Sequence, residues 1–112
     1  MKKAILICYS FESKKGKNYE RVKFFKSLYG WKQVIRKKRK YVYRRDGLLD
    51  RIPHLKIDQS SFIIPERFEK EILNFMKEWE DLVCFKKFKI LMDKELENLF
   101  KEIEKEFKVI EG

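Results

Sequence analysis

The chain of 112 residues contains few of the side chains that build metal sites and disulfide frameworks. It has two cysteines, Cys8 and Cys84, in no C-x-x-C pair, and His54 is its one histidine. These three side chains cannot supply the four ligands of a structural zinc site, so we predict no metal and no cofactor. The cysteines fall on predicted strands that neighbour each other, where a disulfide is conceivable, but we expect buried free thiols.

Long apolar runs are also missing. No stretch approaches the roughly 20 apolar residues that a membrane-spanning helix requires. The apolar run near the amino terminus covers only residues 4–9, and no small-residue cleavage site follows it, which argues against a signal peptide. We therefore predict a cytoplasmic protein with no membrane partner. The length is enough for one hydrophobic core, and we expect residues 1–112 to form a single domain.

Threonine does not occur and alanine occurs once, whereas Lys, Glu, Ile and Phe dominate the composition. There are 21 lysines against 7 arginines. This bias is typical of translation from an AT-rich genome, and the enrichment of Lys and Glu also fits a hyperthermophile. Because a genomic bias would place lysines on the surface of any protein, the lysine surplus by itself says little about function.

The distribution of charge is more informative than its sum of +10. Residues 1–45 carry 16 Lys and Arg but only 2 Asp and Glu, a net charge of +14. Residues 46–112 carry 12 Lys and Arg and 16 Asp and Glu, a net charge of −4. A uniform compositional bias does not segregate the two signs, so the asymmetry indicates a polyanionic partner. It is also compatible with the basic half of one copy facing the acidic half of another.

Periodicity predicts strands and helices that interleave along the chain. The nearly continuous apolar run Lys3–Phe11 indicates a strand that is covered on both faces. The first helix is predicted from Asn18 to about Tyr29, with Val22, Phe25 and Tyr29 on its apolar stripe and Leu28 beside them, and Gly30 ends it. The remaining strands are predicted at 31–37, 40–44, 60–64 and 82–92, and residues 48–59 have the least regular pattern. Asp93 is predicted to cap the last helix. The helix after Pro65 is predicted to carry an apolar stripe of Phe68, Ile72, Phe75, Met76 and Trp79.

This order of elements, β-α-β-(β)-β-α-β-α, is typical of a split β-α-β pattern. We predict an α+β protein with a ferredoxin-like sandwich, in which an antiparallel sheet carries helices on one face. The extra C-terminal helix would extend that helical layer or cover a sheet edge, and a second subunit is another way to bury its apolar stripe. A small α/β fold of a different topology is the alternative.

Residues 36–45 read R-K-K-R-K-Y-V-Y-R-R, seven cations around three residues that favour strands. The segment is either a hairpin with its tip at residues 38–39 and a return strand over 40–44, or one long bent strand. On an extended strand Tyr41 and Tyr43 share one side. Arg39 and Arg45 flank them on that side, which suits stacking of bases and binding of phosphates.

The alternative is that both tyrosines face the core and the cations are merely solvated. The charge segregation favours a nucleic-acid-binding surface instead. We expect Arg21, Lys23 and Lys26 to widen it. The candidate binding residues are Lys32, Arg36, Lys37, Lys38, Arg39, Lys40, Tyr41, Tyr43, Arg44 and Arg45.

A second group of residues permits a catalytic alternative. Asp46, Asp50 and His54 recur four residues apart, and in a helical turn the two carboxylates would share a face suited to Mg²⁺. The apolar first strand and basic first helix also resemble the small ferredoxin-like nucleases of the CRISPR adaptation machinery over that fragment. Those enzymes carry an acid at the end of the strand, which here implies Glu12. Ordinary turn chemistry at Asp46-Gly47 is the simpler interpretation.

These observations predict a small basic nucleic-acid-binding protein without catalytic activity. The first alternative is a metal-dependent nuclease with Glu12, Asp46, Asp50 and His54 as candidate catalytic residues. The second is a homodimeric structural or assembly module, held together by the last strand and helix, whose partner is a protein with an acidic surface.

Overall fold

The structure is a computed structural model that describes residues 2–12, 14 and 16–111, with side chains up to residue 107. Within these residues there are six strands, β1 (Lys3–Phe11), β2 (Trp31–Arg36), β3 (Lys40–Arg45), β4 (Leu55–Asp58), β5 (Ser61–Pro65) and β6 (Val83–Leu91). The helices are α1 (Asn18–Tyr29), α2 (Glu69–Glu78) and α3 (Lys94–Glu111), and short 3-10 turns lie at Leu48–Asp50 and Glu66–Phe68. None of the helices in this part of the chain has the length and apolarity needed to cross a membrane.

Four strands form an antiparallel sheet in the order β4-β5-β1-β6. β1 is central, pairing with β5 over residues 4–8 and with β6 along its whole length. Its neighbouring residues Ala4 and Ile5 point to opposite faces and both are buried, as expected for a strand covered on both sides. β2 and β3 take no part in this sheet and pair only with each other.

The main core lies on the sheet face to which the odd-numbered residues of β1 point. Ile5, Ile7 and Tyr9 are buried there beneath the helical layer formed by α1 and α2. The two helices contribute four fully buried side chains, Phe24, Leu28, Ile72 and Met76. The apolar stripe predicted for α2 is confirmed by the burial of its residues 72 and 76.

The buried face of α1 differs from the predicted one. Phe24 and Leu28 are fully buried, whereas Val22 is 43% exposed, and Phe25 and Tyr29 lie at the margin of the core. The predicted stripe was wrong except for the neighbouring Leu28, because α1 carries apolar residues around more than half of its circumference. Periodicity alone therefore did not single out one face, and the packing of the helix against the sheet did.

The last helix covers the opposite face of the sheet. Phe100 of α3 is buried with Ala4 of β1 and Met92, and Ile63 and Ile90 pack beside them. The expectation that this helix extends the layer of α1 and α2 or covers an edge was therefore wrong. The physical reason is the apolar second face of β1, which needs a cover of its own.

The α+β class, with an antiparallel sheet and three helices in the described part of the chain, is confirmed. The strand order differs from the predicted one, because Trp31–Arg36 was expected in the main sheet. The segment with the weakest periodicity instead provides β4, which takes the edge beside β5. A strand pair with cations on both faces cannot enter a sheet that is covered on both sides, which explains why β2 and β3 stay outside it.

Both cysteines are free thiols, as predicted, but they are not buried as expected. Cys8 is half-buried and Cys84 is exposed. β1 and β6 are neighbours, yet Cys8 lies opposite Lys86 while Cys84 lies opposite Ser10. The two thiols are therefore diagonal neighbours, about 7–8 Å apart in a regular antiparallel pair, which exceeds the reach of a disulfide without backbone movement.

Two tyrosines form the polar contact at the edge of the core. The Tyr9 hydroxyl donates to the Gln59 carbonyl at 2.9 Å and lies 2.8 Å from the Tyr29 hydroxyl. Since Tyr9 has a single hydroxyl proton, Tyr29 donates to Tyr9 in this arrangement. Burial raises the pKa of both phenols.

This pair predicts a loss of stability in alkaline solution. A phenol whose pKa is higher in the folded than in the unfolded chain keeps its full stabilising effect below about pH 10, and loses it as the pH rises further. We expect the free energy of unfolding to fall above about pH 10, measured by urea titration at a series of pH values. Tyr9→Phe should flatten this dependence, whereas Tyr19→Phe, at a 66% exposed position, should leave it unchanged. Equal slopes in both variants would contradict the assignment.

Candidate nucleic-acid interface

The hairpin (residues 31–45) projects from the rest of the molecule. Every residue of β3 is exposed, and so is every second residue of β2. The radius of gyration is 15.9 Å, against about 13 Å for a compact domain of this size. Of the two conformations that the sequence allowed, the structure has the hairpin, with Lys37–Arg39 as a three-residue tip.

The register assigns each hairpin side chain to one of two faces. Trp31 pairs with Arg45, Gln33 with Tyr43 and Ile35 with Tyr41, and directly opposed residues point to the same side. These six residues form the aromatic face. The basic face consists of the alternate residues, Lys32, Val34, Arg36, Lys40, Val42 and Arg44.

Tyr41 and Tyr43 lie on the aromatic face and are exposed, so neither belongs to the core. Their ring centroids are 6.4 Å apart and their planes differ by 18°. The Arg45 guanidinium lies 6.0 Å from the Tyr43 ring centroid. Of the two orientations that the sequence left open, the structure has solvent-facing tyrosines flanked by a cation.

The hairpin contains eight cations and no acidic residue. Outside the hairpin Lys87 pairs with Glu69 at 2.8 Å and Lys89 with Glu66 at 2.9 Å. Among the described residues, Arg44 is the one hairpin cation with such a partner. All ten candidate binding residues are exposed, and the hairpin therefore concentrates positive charge that the protein itself does not neutralise.

Arg44 has a structural role that the sequence did not reveal. One of its guanidinium nitrogens, Nη2, donates to the Tyr29 carbonyl at 2.8 Å and contacts both carboxylate oxygens of Asp50 at 2.8–2.9 Å. Asp50 also accepts the Gly47 N–H at 2.8 Å. This network joins the base of the hairpin to the end of α1 and to the 3-10 turn. Arg44 is therefore the candidate binding residue least free to contact a partner.

Two glycines allow this close approach. Gly30 has φ of +80°, a conformation that side chains with a Cβ rarely adopt, and it ends α1 as predicted. A Cβ on Gly30 would overlap Asp50 and Arg44, and a Cβ on Gly47 would overlap the Gly30 backbone. The ion pair itself is partly solvated and contributes little. The backbone contact between the two glycines is therefore the main constraint on how the hairpin leaves the body.

The residues proposed for the catalytic alternative do not converge. Asp50 is engaged with Arg44 in a 3-10 turn, so the α-helical spacing assumed for it and Asp46 does not occur. His54 is half-buried with Nδ1 2.9 Å from the Ile52 carbonyl. Glu12 follows the end of β1, where its N–H donates to the Leu82 carbonyl at 2.8 Å. In the described part of the chain no three His, Cys, Asp or Glu residues group to hold a metal ion.

A groove continues the aromatic face at the base of the hairpin. Its volume is about 730 Å³, and Trp31 lies between it and the rings of β3. The Lys26 ammonium lies 4.2 Å from the centre of the Trp31 ring. The wall is completed mainly by Tyr19, Val22, Lys23 and Asp46. The sequence pattern predicted Trp31 only as a strand residue. Its position opposite Arg45 depends on the register of the hairpin, which the pattern did not predict.

The chain has a defined interface candidate with two components, the hairpin and the groove beside Trp31. Its function has to be inferred from the chemistry of these surfaces. Comparison with protein-family models, with curated proteins and with solved structures finds no match.

Proposed function

We propose that the protein binds nucleic acid through the hairpin. One observation carries this proposal. The ten candidate binding residues are all exposed on the projecting hairpin, which contains no acidic residue. Two of the ten are tyrosines with solvent-facing rings, and seven are cations without a carboxylate partner among the described residues. Such a partner would be met in the cytoplasm, the location predicted from the sequence.

The energetic basis of this binding is counterion release. Each phosphate neutralised by Lys or Arg releases condensed cations, so affinity falls as salt is added. With about 0.7 counterions per contact on a single strand, seven cations set an upper limit of about 5 for the slope of log K against log salt. Because these cations lie on both faces of the ribbon and at its tip, we expect an observed slope of about 2 to 4.

We further infer that the hairpin is an insertion into a ferredoxin-like unit. Without it, the elements follow the order β1-α1-β4-β5-α2-β6, and all neighbouring strands of the sheet are antiparallel. This order supports a split β-α-β arrangement with α1 and α2 on one face. On this interpretation the binding surface belongs to the insertion and not to the sheet, both faces of which carry helices.

The test is a binding titration of the purified chain with a fluorescently labelled oligonucleotide of about ten nucleotides. We expect tight binding at low salt and a linear fall of log K with log salt, with a slope of about 2 to 4. Native mass measurement of the same samples gives the oligomeric state with and without the oligonucleotide.

Two outcomes would count against the proposal. One is the absence of binding at low salt, and the other is an affinity that does not change between low and physiological salt. A homodimer that ignores the oligonucleotide but binds an acidic protein would favour the assembly module instead. Polyglutamate is the matched competitor, because it carries negative charge without bases or phosphates. It should displace the labelled oligonucleotide less well than an unlabelled oligonucleotide of the same charge does, because it offers no base to the tyrosine rings.

A further inference from the structure

We propose that the aromatic face binds single-stranded nucleic acid, with bases stacked on Tyr41 and Tyr43 and the strand continuing past Trp31. This inference rests on the proposed function and narrows its ligand. The basic hairpin accounts for attraction to any polyanion, but attraction alone does not require exposed rings. The rings, and their position beside the groove, point to a strand whose bases are accessible.

The tyrosine rings have the geometry of a stacking platform. Tyr41 and Tyr43 are 44% and 46% exposed, and their planes are nearly parallel. Two residues along a strand correspond to about 6.7 Å, which is close to their centroid separation of 6.4 Å. The rings therefore extend side by side from the strand, and flexible single strands can bring unpaired bases against such faces.

Ring surface dominates the aromatic face. Arg45 Nε donates to Gln33 Oε1 at 2.7 Å, which occupies the acceptor of the face's one amide and one of the five N–H donors of its one guanidinium. The remaining side chains on the face are Trp31, Ile35 and the two tyrosines. Stacking is open to every base, whereas hydrogen-bonded readout needs free donors and acceptors. We therefore expect little sequence preference.

The groove gives the strand a continuous path off the hairpin. Trp31 lies across the ribbon from Arg45 and borders the groove, where Lys26 stacks on its ring. Lys23 lies in the same wall, and both lysines extend from α1. The phosphates of a strand that passes Trp31 would thus lie within reach of two further cations. Asp46 is the acidic residue in this wall, and two lysines lie in the same wall.

Duplex DNA would use this surface poorly. In a duplex the bases stack on one another, and only their edges are open in the grooves, so exposed rings gain nothing from them. A two-stranded ribbon does fit the major groove, and in that case the basic face would be inserted instead. The comparison of single-stranded with duplex ligands therefore separates the two arrangements.

The experiment measures affinity for three probes of equal length at one low salt concentration. These are oligothymidylate of about ten nucleotides, the same backbone with abasic residues throughout, and a blunt-ended duplex. We expect the wild-type chain to bind oligothymidylate at least about tenfold more tightly than the abasic strand. Tyr41→Leu/Tyr43→Leu should lose about tenfold on oligothymidylate and nothing on the abasic strand, while Tyr41→Phe/Tyr43→Phe should retain both affinities.

The outcomes distinguish this inference from the proposed function. Equal wild-type affinity for oligothymidylate and the abasic strand, or tighter binding of the duplex, overturns stacking and leaves phosphate binding intact. Failure to bind any of the three probes overturns both. The comparison of probes on the wild-type chain needs no variant, so a folding defect in the leucine variant cannot hide the answer. Circular dichroism of each variant identifies such a defect.

Discussion

Neutralising four cations of the hairpin is expected to reduce nucleic-acid affinity about 100-fold at roughly 50 mM salt. The variant replaces Arg36, Lys38, Arg39 and Lys40 by Gln, which keeps long polar side chains while removing the charge. All four lie at or beside the hairpin tip and are exposed, so stability should change little. With about 0.7 counterions per contact, the slope of log K against log salt should fall by as much as about 3.

A matched control removes the same charge from elsewhere. Lys70 and Lys77 on α2, and Lys101 and Lys105 on α3, are exposed, and their replacement by Gln lowers the formal net charge equally. We expect this control to keep nearly the full affinity and slope, because it changes the overall charge without touching the hairpin. Equal losses in both variants would show that net charge, and not the hairpin, drives binding. Arg44 is left intact in both, since its loss would disturb the base of the hairpin.

Phe24→Ala is expected to lower the free energy of unfolding by about 3–5 kcal/mol. Phe24 is fully buried, and its ring centroid lies 5.3–5.7 Å from those of Phe25, Trp79, Tyr9 and Phe75. Removing the ring leaves a cavity between α1, α2 and the sheet. The total free energy of unfolding of a small domain is about 5–15 kcal/mol, so this loss is a large fraction of it. The melting temperature should therefore fall by roughly 20 °C.

The matched control lies on the same helix. Val22→Ala truncates an apolar side chain that is 43% exposed, and alanine favours a helix more than valine does, so we expect a change within about 0.5 kcal/mol. Urea titration of the wild type and both variants measures the difference. A Phe24→Ala loss no larger than that of Val22→Ala would contradict the placement of the core on this face of α1.

The sequence by itself determined those strands and helices whose hydrophobic periodicity or capping residue is compatible with only one local structure. The doubly apolar β1 was predicted as a buried strand, and the stripe of α2 was predicted with its buried residues Ile72 and Met76. The cap of α3 is also as predicted, with the Asp93 carboxylate accepting the Leu96 N–H at 2.8 Å. In each case local periodicity or turn chemistry is strong enough to specify the structure without knowledge of distant residues.

The sequence also determined where the positive charge is, because composition needs no fold. The order of residues shows the cations of residues 32–45 and the absence of acidic residues among them. It also shows that Tyr41 and Tyr43 are two positions apart, so that they share one side of a strand. What these patterns left open was orientation. A tyrosine on a strand has the same spacing whether it faces a core or solvent.

Only the tertiary structure decided that orientation, since burial depends on which elements come together. α1 offered several apolar faces, and the sheet selected the one with Phe24 and Leu28. β4 had too little periodicity to predict, and it forms because β5 provides a partner for its backbone. The contact of Gly30 with Gly47 joins residues 17 positions apart in the sequence, and the more local Arg44–Asp50 pair lies beside it. These contacts hold the hairpin outside the core, which turns a basic segment into an exposed two-faced surface.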